Sequence, residues 1–526
     1  MTPEELRAAL TDPARPELAL LDAREQGVFS GGHLFHASSA PLSRLELMLG
    51  ELAPRADVTL VWCDGGGGED LAERAAARSR QLGYRRAEVL AGGVAGWAAA
   101  GGEVYTGVNV PSKAFGEIVE HVYGTPRLEA TELAARVAAG EPLVILDSRP
   151  LREYRRMSIP GGVDCPGAEL AYRVHDLAPD PTTLVVVNCA GRTRSIIGAQ
   201  SLINAGIPNP VVALKNGTMG WELAGLTLEH GQDRLAPEPT AQGLARAQQA
   251  AERVAARFGV RRCSEADLGR WLAEADRTTF VLDVRSPEEF EAGRRAGSRS
   301  APGGQLVQAT DEYVGVRNAR IVLVDDTGVR ATMTASWLLQ LGWPEVWVLD
   351  GGLGGELESG PVEVAPLGGW PEIDEIPRNV VDTAASVVLD LADSVRYRRG
   401  HVPGAWWAVR SRFAEAAAKL PAPLMDLVLV SPDNALARLA APDARATWPT
   451  ARVRVLAGGG DGWRRAAMPQ REGFDRPTTT PDDVWYKPYD HDDADVVRRD
   501  MEDYLTWEVA LVGQVERDPT VAFPRF

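Results

Sequence analysis

The chain has 526 residues, of which 45% are hydrophobic and 25% charged, the balance of a folded globular protein with room for about three to five domains. Its formal charge of −17 argues against nucleic acid or an anionic membrane surface as a partner. No apolar run approaches the ~18 residues of a membrane helix. Four widely spaced cysteines without a CxxC pair argue against a disulfide framework or zinc site, and for a reducing, cytoplasmic setting.

The chain opens on Thr2-Pro3-Glu4-Glu5, which reads as a capped helix with acid in its first turn and not as a secretory signal. A strand then ends at Leu20-Leu21-Asp22, with Arg24 and Glu25 behind it. A second ends at Val61-Trp62-Cys63, and a third, Glu88-Val89-Leu90, runs into Gly92-Gly93 and Trp97. The same unit returns as Ile145-Leu146-Asp147 with Arg149, Val187-Asn188-Cys189, Val211 to Leu214, Gly217 and Trp221. It returns again as Val281-Leu282-Asp283 with Arg285, Leu323-Val324-Asp325, Val346 to Leu349 and Gly351-Gly352. A fourth copy runs Val388-Leu389-Asp390 with the more distant Arg396, Leu429-Val430-Ser431, Val453 to Leu456, Gly458-Gly459 and Trp463. The spacing from aspartate to loop is 41, 42, 42 and 41 residues, which marks a fourfold internal repeat.

Strands alternating with helical segments predict α/β architecture, each repeat a small parallel sheet flanked by helices. The expected domains are 1–108, 109–236, 237–365 and 366–526. The boundaries fall near Val108 to Ser112, in the Pro-rich turn and Leu244 to Phe258 helix after Pro237, and near Pro366 to Trp370. The last domain carries a tail with an acidic run, Asp490 to Asp495, read as solvated surface despite His491. A helix at Met501 to Val512 is expected to dock on the body or on a second copy in a homodimer. The glycine pairs supply backbone angles closed to other residues, and the tryptophans read as packing anchors.

One loop stands apart. An apolar strand delivers Cys189 into Ala190-Gly191-Arg192-Thr193-Arg194-Ser195, and a helix (Ile196 to Ala205) follows. Loop amides and a helix N-terminus favour negative charge, so a cysteine there is expected to ionise more readily than a free thiol, and the thiolate is the nucleophile. Two arginines suit an anionic substrate, against the sign of the chain as a whole.

These features resemble the rhodanese family of sulfurtransferases. The resemblance rests on Leu146-Asp147-Ser148-Arg149 with Glu153-Tyr154, Ile159-Pro160-Gly161-Gly162, the Cys189 to Ser195 loop, and Asn216-Gly217-Thr218-Met219-Gly220-Trp221. It covers most of the chain as four tandem rhodanese-like modules. The family's Gly-His-Ile-Pro-Gly departs in module two, where Met157-Ser158 replaces Gly-His; module four retains Gly400-His401-Val402-Pro403-Gly404, its His401 read as structural. The resemblance implies transfer of sulfane sulfur from thiosulfate, or a related small anionic donor, through a Cys189 persulfide to cyanide, a thiol or a protein cysteine. Arg192 and Arg194 would bind the donor's oxygens, amides from Ala190 to Ser195 would stabilise the persulfide, and Thr193 and Ser195 would donate hydroxyls, with Ser195 also capping the helix. Asp147 and Arg149 would brace the loop, and neither metal nor organic cofactor is called for.

Only module two is expected to be active. Module three has Asp325-Asp326 where the nucleophile belongs, and module four has Ser431-Pro432-Asp433. Module one offers Cys63, but with three acids and no arginine in its loop, which should raise the thiol and repel anions. Cys165 reads as packing, with a resolving thiol as the alternative, and Cys263 as incidental. Two competing functions are a Cys-based phosphatase or arsenate reductase, and a scaffold that relays persulfide to a bound acceptor protein. The phosphatase pattern places arginine six residues after cysteine, where this chain has Ser195.

Overall fold

The structure, a computed structural model, describes residues 1–362, 365–381 and 385–524. Among these residues each repeat centres on one five-stranded sheet. In module two the order is Arg127–Leu128, Val211–Leu214, Leu184–Asn188, Leu143–Asp147, Val163–Asp164, all parallel. Helices cover both faces, so the central strand is a continuous β-branched run: Val185, Val186 and Val187 are fully buried. Modules three and four repeat the arrangement around Arg320–Val324 and Asp426–Val430. Module one differs at an edge. Its strand Leu18–Asp22 is flanked by Val316–Arg317, an antiparallel strand lent by module three, and one hydrophobic core runs through both modules.

The strand register corrects the placement of Cys63. Asp22 lies opposite Cys63, as Asp147 lies opposite Asn188, Asp283 opposite Val324 and Asp390 opposite Val430. Cys63 is therefore the counterpart of Asn188, and Asp64 that of Cys189. The next turn agrees: Val94 N–H donates to the Asp64 carbonyl and Thr218 N–H to the Cys189 carbonyl, both at 2.8 Å. A one-residue shift turns a side chain to the opposite face. Cys63 consequently points into a core with Leu18, Leu20 and Phe29, where burial pushes its thiol well above the usual range. The nucleophile position reads Asp64, Cys189, Asp325 and Ser431.

Arg396 differs from the arginines of the other modules. In modules one to three the arginine two residues after the aspartate folds back onto it: Arg24 on Asp22, Arg149 on Asp147 and Arg285 on Asp283, at 2.6–2.7 Å, each also reaching a backbone carbonyl eight residues ahead. Arg396 pairs with Asp461 instead, and burial pushes the unaccompanied Asp390 up to about 7.

The tryptophans are anchors. Trp97, Trp221 and Trp463 are buried and each donates its indole N–H to the carbonyl six residues on, Glu103, Thr227 and Pro469. His401 stacks on Tyr397 at 3.8 Å and bonds its carbonyl, as His33 stacks on Phe29 and bonds the Leu34 carbonyl. Three further helices position the site. Val110–Tyr123 joins modules one and two, Ala241–Phe258 joins two and three, and Ala494–Arg517 closes over module two. The last is longer at both ends than expected, and it starts early because Asp493 caps it, accepting from the amides of Asp495 and Val496.

Modules two and three meet about a pseudo-twofold axis, with counterparts 136 residues apart. A Cβ on Gly167 would lie 3.1 Å from Gly304, and one on Gly304 2.8 Å from the Gly167 nitrogen. Only glycine lets the two backbones approach so closely. Among the described residues no helix is long and apolar enough to cross a membrane.

Candidate active site

Cys189 follows the last residue of Leu184–Asn188 and precedes the helix Thr193–Ala205, so its sulfur sits at the carboxyl edge of the sheet and at a helix N-terminus. It is 2% exposed. The loop's path demands glycines. Gly217 has φ +54°, and a Cβ there would strike the Cys189 carbonyl at 2.2 Å. A Cβ on Gly191 would lie 3.0 Å from both Met219 and Glu508.

The expected residues divide into three groups. Ser195 donates its hydroxyl to the sulfur of Cys189 at 3.0 Å. It is the third residue of the helix, past the N-cap position held by Arg192, and the end carries no side-chain cap. Arg194 is near enough to Cys189 for a charge on the sulfur to be felt by its guanidinium. Its guanidinium bonds Glu153 at 2.8 Å and the amide oxygen of Gln305, from module three, at 3.1 Å. Arg192 turns away from the sulfur. Glu117 takes it in two bonds of 2.6 and 2.7 Å, Glu120 in one of 2.6 Å, and Asn216 at 3.3 Å. With two carboxylates on it and 6% exposed, Arg192 anchors the loop to the Val110–Tyr123 helix. Thr193 donates to Glu508 at 3.1 Å. Asp147 and Arg149 form a buried bidentate pair below the loop. Asp147 also accepts from Asn188, and Ser148 holds the Asn188 carbonyl through both its amide and its hydroxyl.

The site also contains residues that the repeat pattern does not reveal, because they lie outside the repeat. Lys113, on the connecting helix, is buried with its ammonium 3.7 Å from Glu508 and over the Tyr504 ring. Burial draws its pKa down, while Glu508 and Cys189 oppose the fall. Glu153 feels burial too, but Arg194 and Lys487 outweigh it and hold its carboxyl below the usual range. From the C-terminal helix, Met501 and Leu505 pack with Ala190 and Met219 into an apolar roof. Tyr504 and Glu508 lie against Gly191, and the Tyr489 carbonyl and Asp490 are tied to Arg156 at 2.6 and 2.5 Å. The acidic run thus begins as a docking contact, and only His491 to Asp495 is exposed. An amphipathic helix with inward Met501, Leu505 and Glu508 was the available signal, but nothing in its spacing names the loop it covers.

Cys165 is fully buried in a core with Leu146 and Leu170, and burial pushes its thiol well up; Cys263 ends a strand, pushed up to about 12.

The rhodanese-like domain model matches residues 2–100, 129–224 and 264–355, more than half of the chain, and the chain belongs to that family. A crystal structure of thiosulfate sulfurtransferase from Pseudomonas aeruginosa superposes with a TM-score of 0.93 at 47% identity, over 100% of this chain and 99% of that one. An HTH-type transcriptional regulator of Mycobacterium tuberculosis is 34% identical over 112 residues, 21% of this chain. The chain spans about half, 48%, of that curated relative.

Proposed function

We propose that this chain moves sulfane sulfur from thiosulfate to a thiophilic acceptor through a persulfide on Cys189. The chain is a rhodanese-type transferase, as its end-to-end likeness to a thiosulfate sulfurtransferase supports. The observation that carries the finer reading is the pairing of a strand-end thiol with Ser195, beside Arg194, at a helix N-terminus.

The thiolate attacks the outer sulfur of thiosulfate. A new S–S bond forms, the old one breaks, and its electron pair departs on sulfite. Arg194 carries the donor's oxygens, because it retains charge after pairing with one carboxylate and one neutral amide. Arg192 keeps the loop in shape. The amides of the loop receive the developing charge. Their aim is supported by module three, where Asp325 in the same position accepts from the amides of Gly328, Arg330 and Ala331, the counterparts of Arg192, Arg194 and Ser195. Four unpaired buried cysteines support a reducing, cytoplasmic compartment.

The test is an intact mass after incubation with thiosulfate and no acceptor. The wild type and Cys63→Ser gain one sulfur and Cys189→Ser gains none; cyanide then discharges it. A wild type that stays unmodified removes thiosulfate as donor. A gain that survives in Cys189→Ser places the chemistry elsewhere.

A further inference from the structure

Glu508 is 1% exposed and lies on the helix that closes over the Cys189 loop. Its Oε1 is fully engaged: Thr193 and Tyr504 donate to it at 3.1 Å each, and the Lys113 ammonium stands 3.7 Å away. Its Oε2 has no hydrogen-bond partner among the described residues, yet it is held against Gly191, two residues from the nucleophile. Burying a carboxylate oxygen without a donor is costly. One oxygen is enough to dock the helix; the free one faces the loop that carries Cys189. Met501, Leu505 and Tyr504 cover this side of the loop and Cys189 is 2% exposed, which favours a small acceptor over the surface of another protein.

We propose that Glu508 is the general base that takes the proton from a small thiol acceptor; this rests on the sulfur-transfer reading above. Oε2 accepts the proton of R–SH. The thiolate R–S⁻ attacks the outer sulfur of Cys189–S–SH, an S–S bond forms between them, and the Cys189–sulfur bond breaks with its pair returning to Cys189 as thiolate. R–S–SH leaves. The proton on Glu508 is passed to the perthiolate that the next thiosulfate creates, so the cycle converts R–SH and thiosulfate into R–S–SH and sulfite with nothing left over. Lys113 and Tyr504 are positioning residues that hold Oε1.

The experiment compares two acceptors at pH 8 on protein charged with inorganic polysulfide, so that it does not depend on thiosulfate being the donor. 2-Mercaptoethanol must lose a proton; sulfite has none to lose. Glu508→Gln keeps an oxygen for Thr193 and Tyr504 and is expected to slow discharge to 2-mercaptoethanol about 100-fold, with discharge to sulfite within about threefold of wild type. Tyr504→Phe, which removes one of the two hydroxyl donors that hold Oε1, should show a smaller loss of the same one-sided kind. An equal loss with both acceptors, or no loss with either, overturns the proposal. Should Glu508→Gln not fold, Glu508→Asp sets the base back by one methylene and must show the same one-sided loss. If the wild type takes sulfur from polysulfide but not from thiosulfate, the donor assignment fails while this test still stands.

Discussion

Modules two and three present the same frame twice, and the contrast between Arg194 and Arg330 is what separates their anion cradles. Each arginine lies five residues after the nucleophile position. Each bonds the glutamate six residues after the buried aspartate: Glu153 for Arg194, Glu289 for Arg330. Each also reaches across the pseudo-twofold axis to the partner module. There Arg194 finds the neutral amide of Gln305, and Arg330 the carboxylate of Glu169 at 3.0 Å. Module three then adds Asp326, where module two has Ala190, as a third carboxylate at 2.7 Å. Arg330 is fully buried among three carboxylates, whereas Arg194 is paired with one. The cradle of amides is built in both modules. In module three it is already filled by the carboxylate of Asp325. The fold supplies the cradle in both modules, and in module three a side chain of the protein itself occupies it.

Converting module two toward module three should abolish this difference in steps. Ala190→Asp gives Arg194 the extra carboxylate and puts a charge beside Cys189. Sulfur uptake from thiosulfate, followed by mass against time, is expected to fall more than about 100-fold, since like charges within about 4 Å cost several kcal/mol at partly buried sites. Gln305→Glu leaves the loop untouched and alters only the partner across the axis. It should raise KM for thiosulfate about 10-fold with kcat little changed, the mark of a lost binding interaction. An unchanged KM would mean that Arg194 does not bind the donor. In the other direction, Asp325→Ala empties the cradle of module three and strands the amides of Gly328 and Arg330. Thermal unfolding should show a loss of about 1–3 kcal/mol, with activity at Cys189 preserved. A stability gain would mean that the cost of burying that carboxylate exceeds its hydrogen bonds.

The repeat, the strands and the α/β class were legible because aspartates, glycine turns and apolar runs recur at fixed spacing, and each is a local requirement of the same fold. The active loop was legible for the same reason: thiol, arginines and helix start are contiguous. The error at Cys63 came from aligning on a residue type and not on strand ends. The two alternatives differ by one residue, and hydrogen-bond register, which decides between them, is a property of two strands together. The division of labour between Arg192 and Arg194 was equally hidden, since it depends on Glu117 and Glu120 from a helix outside the repeat.

What the sequence determined by itself is therefore a candidate nucleophile and its frame: one module with Cys189 at the end of a buried strand, ahead of a basic helix start, and three without it. What only the tertiary structure decided is the company that nucleophile keeps. Lys113, Gln305, Lys487, Tyr504 and Glu508 come from the connecting helix, the neighbouring module and the tail. No local periodicity encodes their meeting, because it is produced by packing between modules whose contacts are separated by up to several hundred residues.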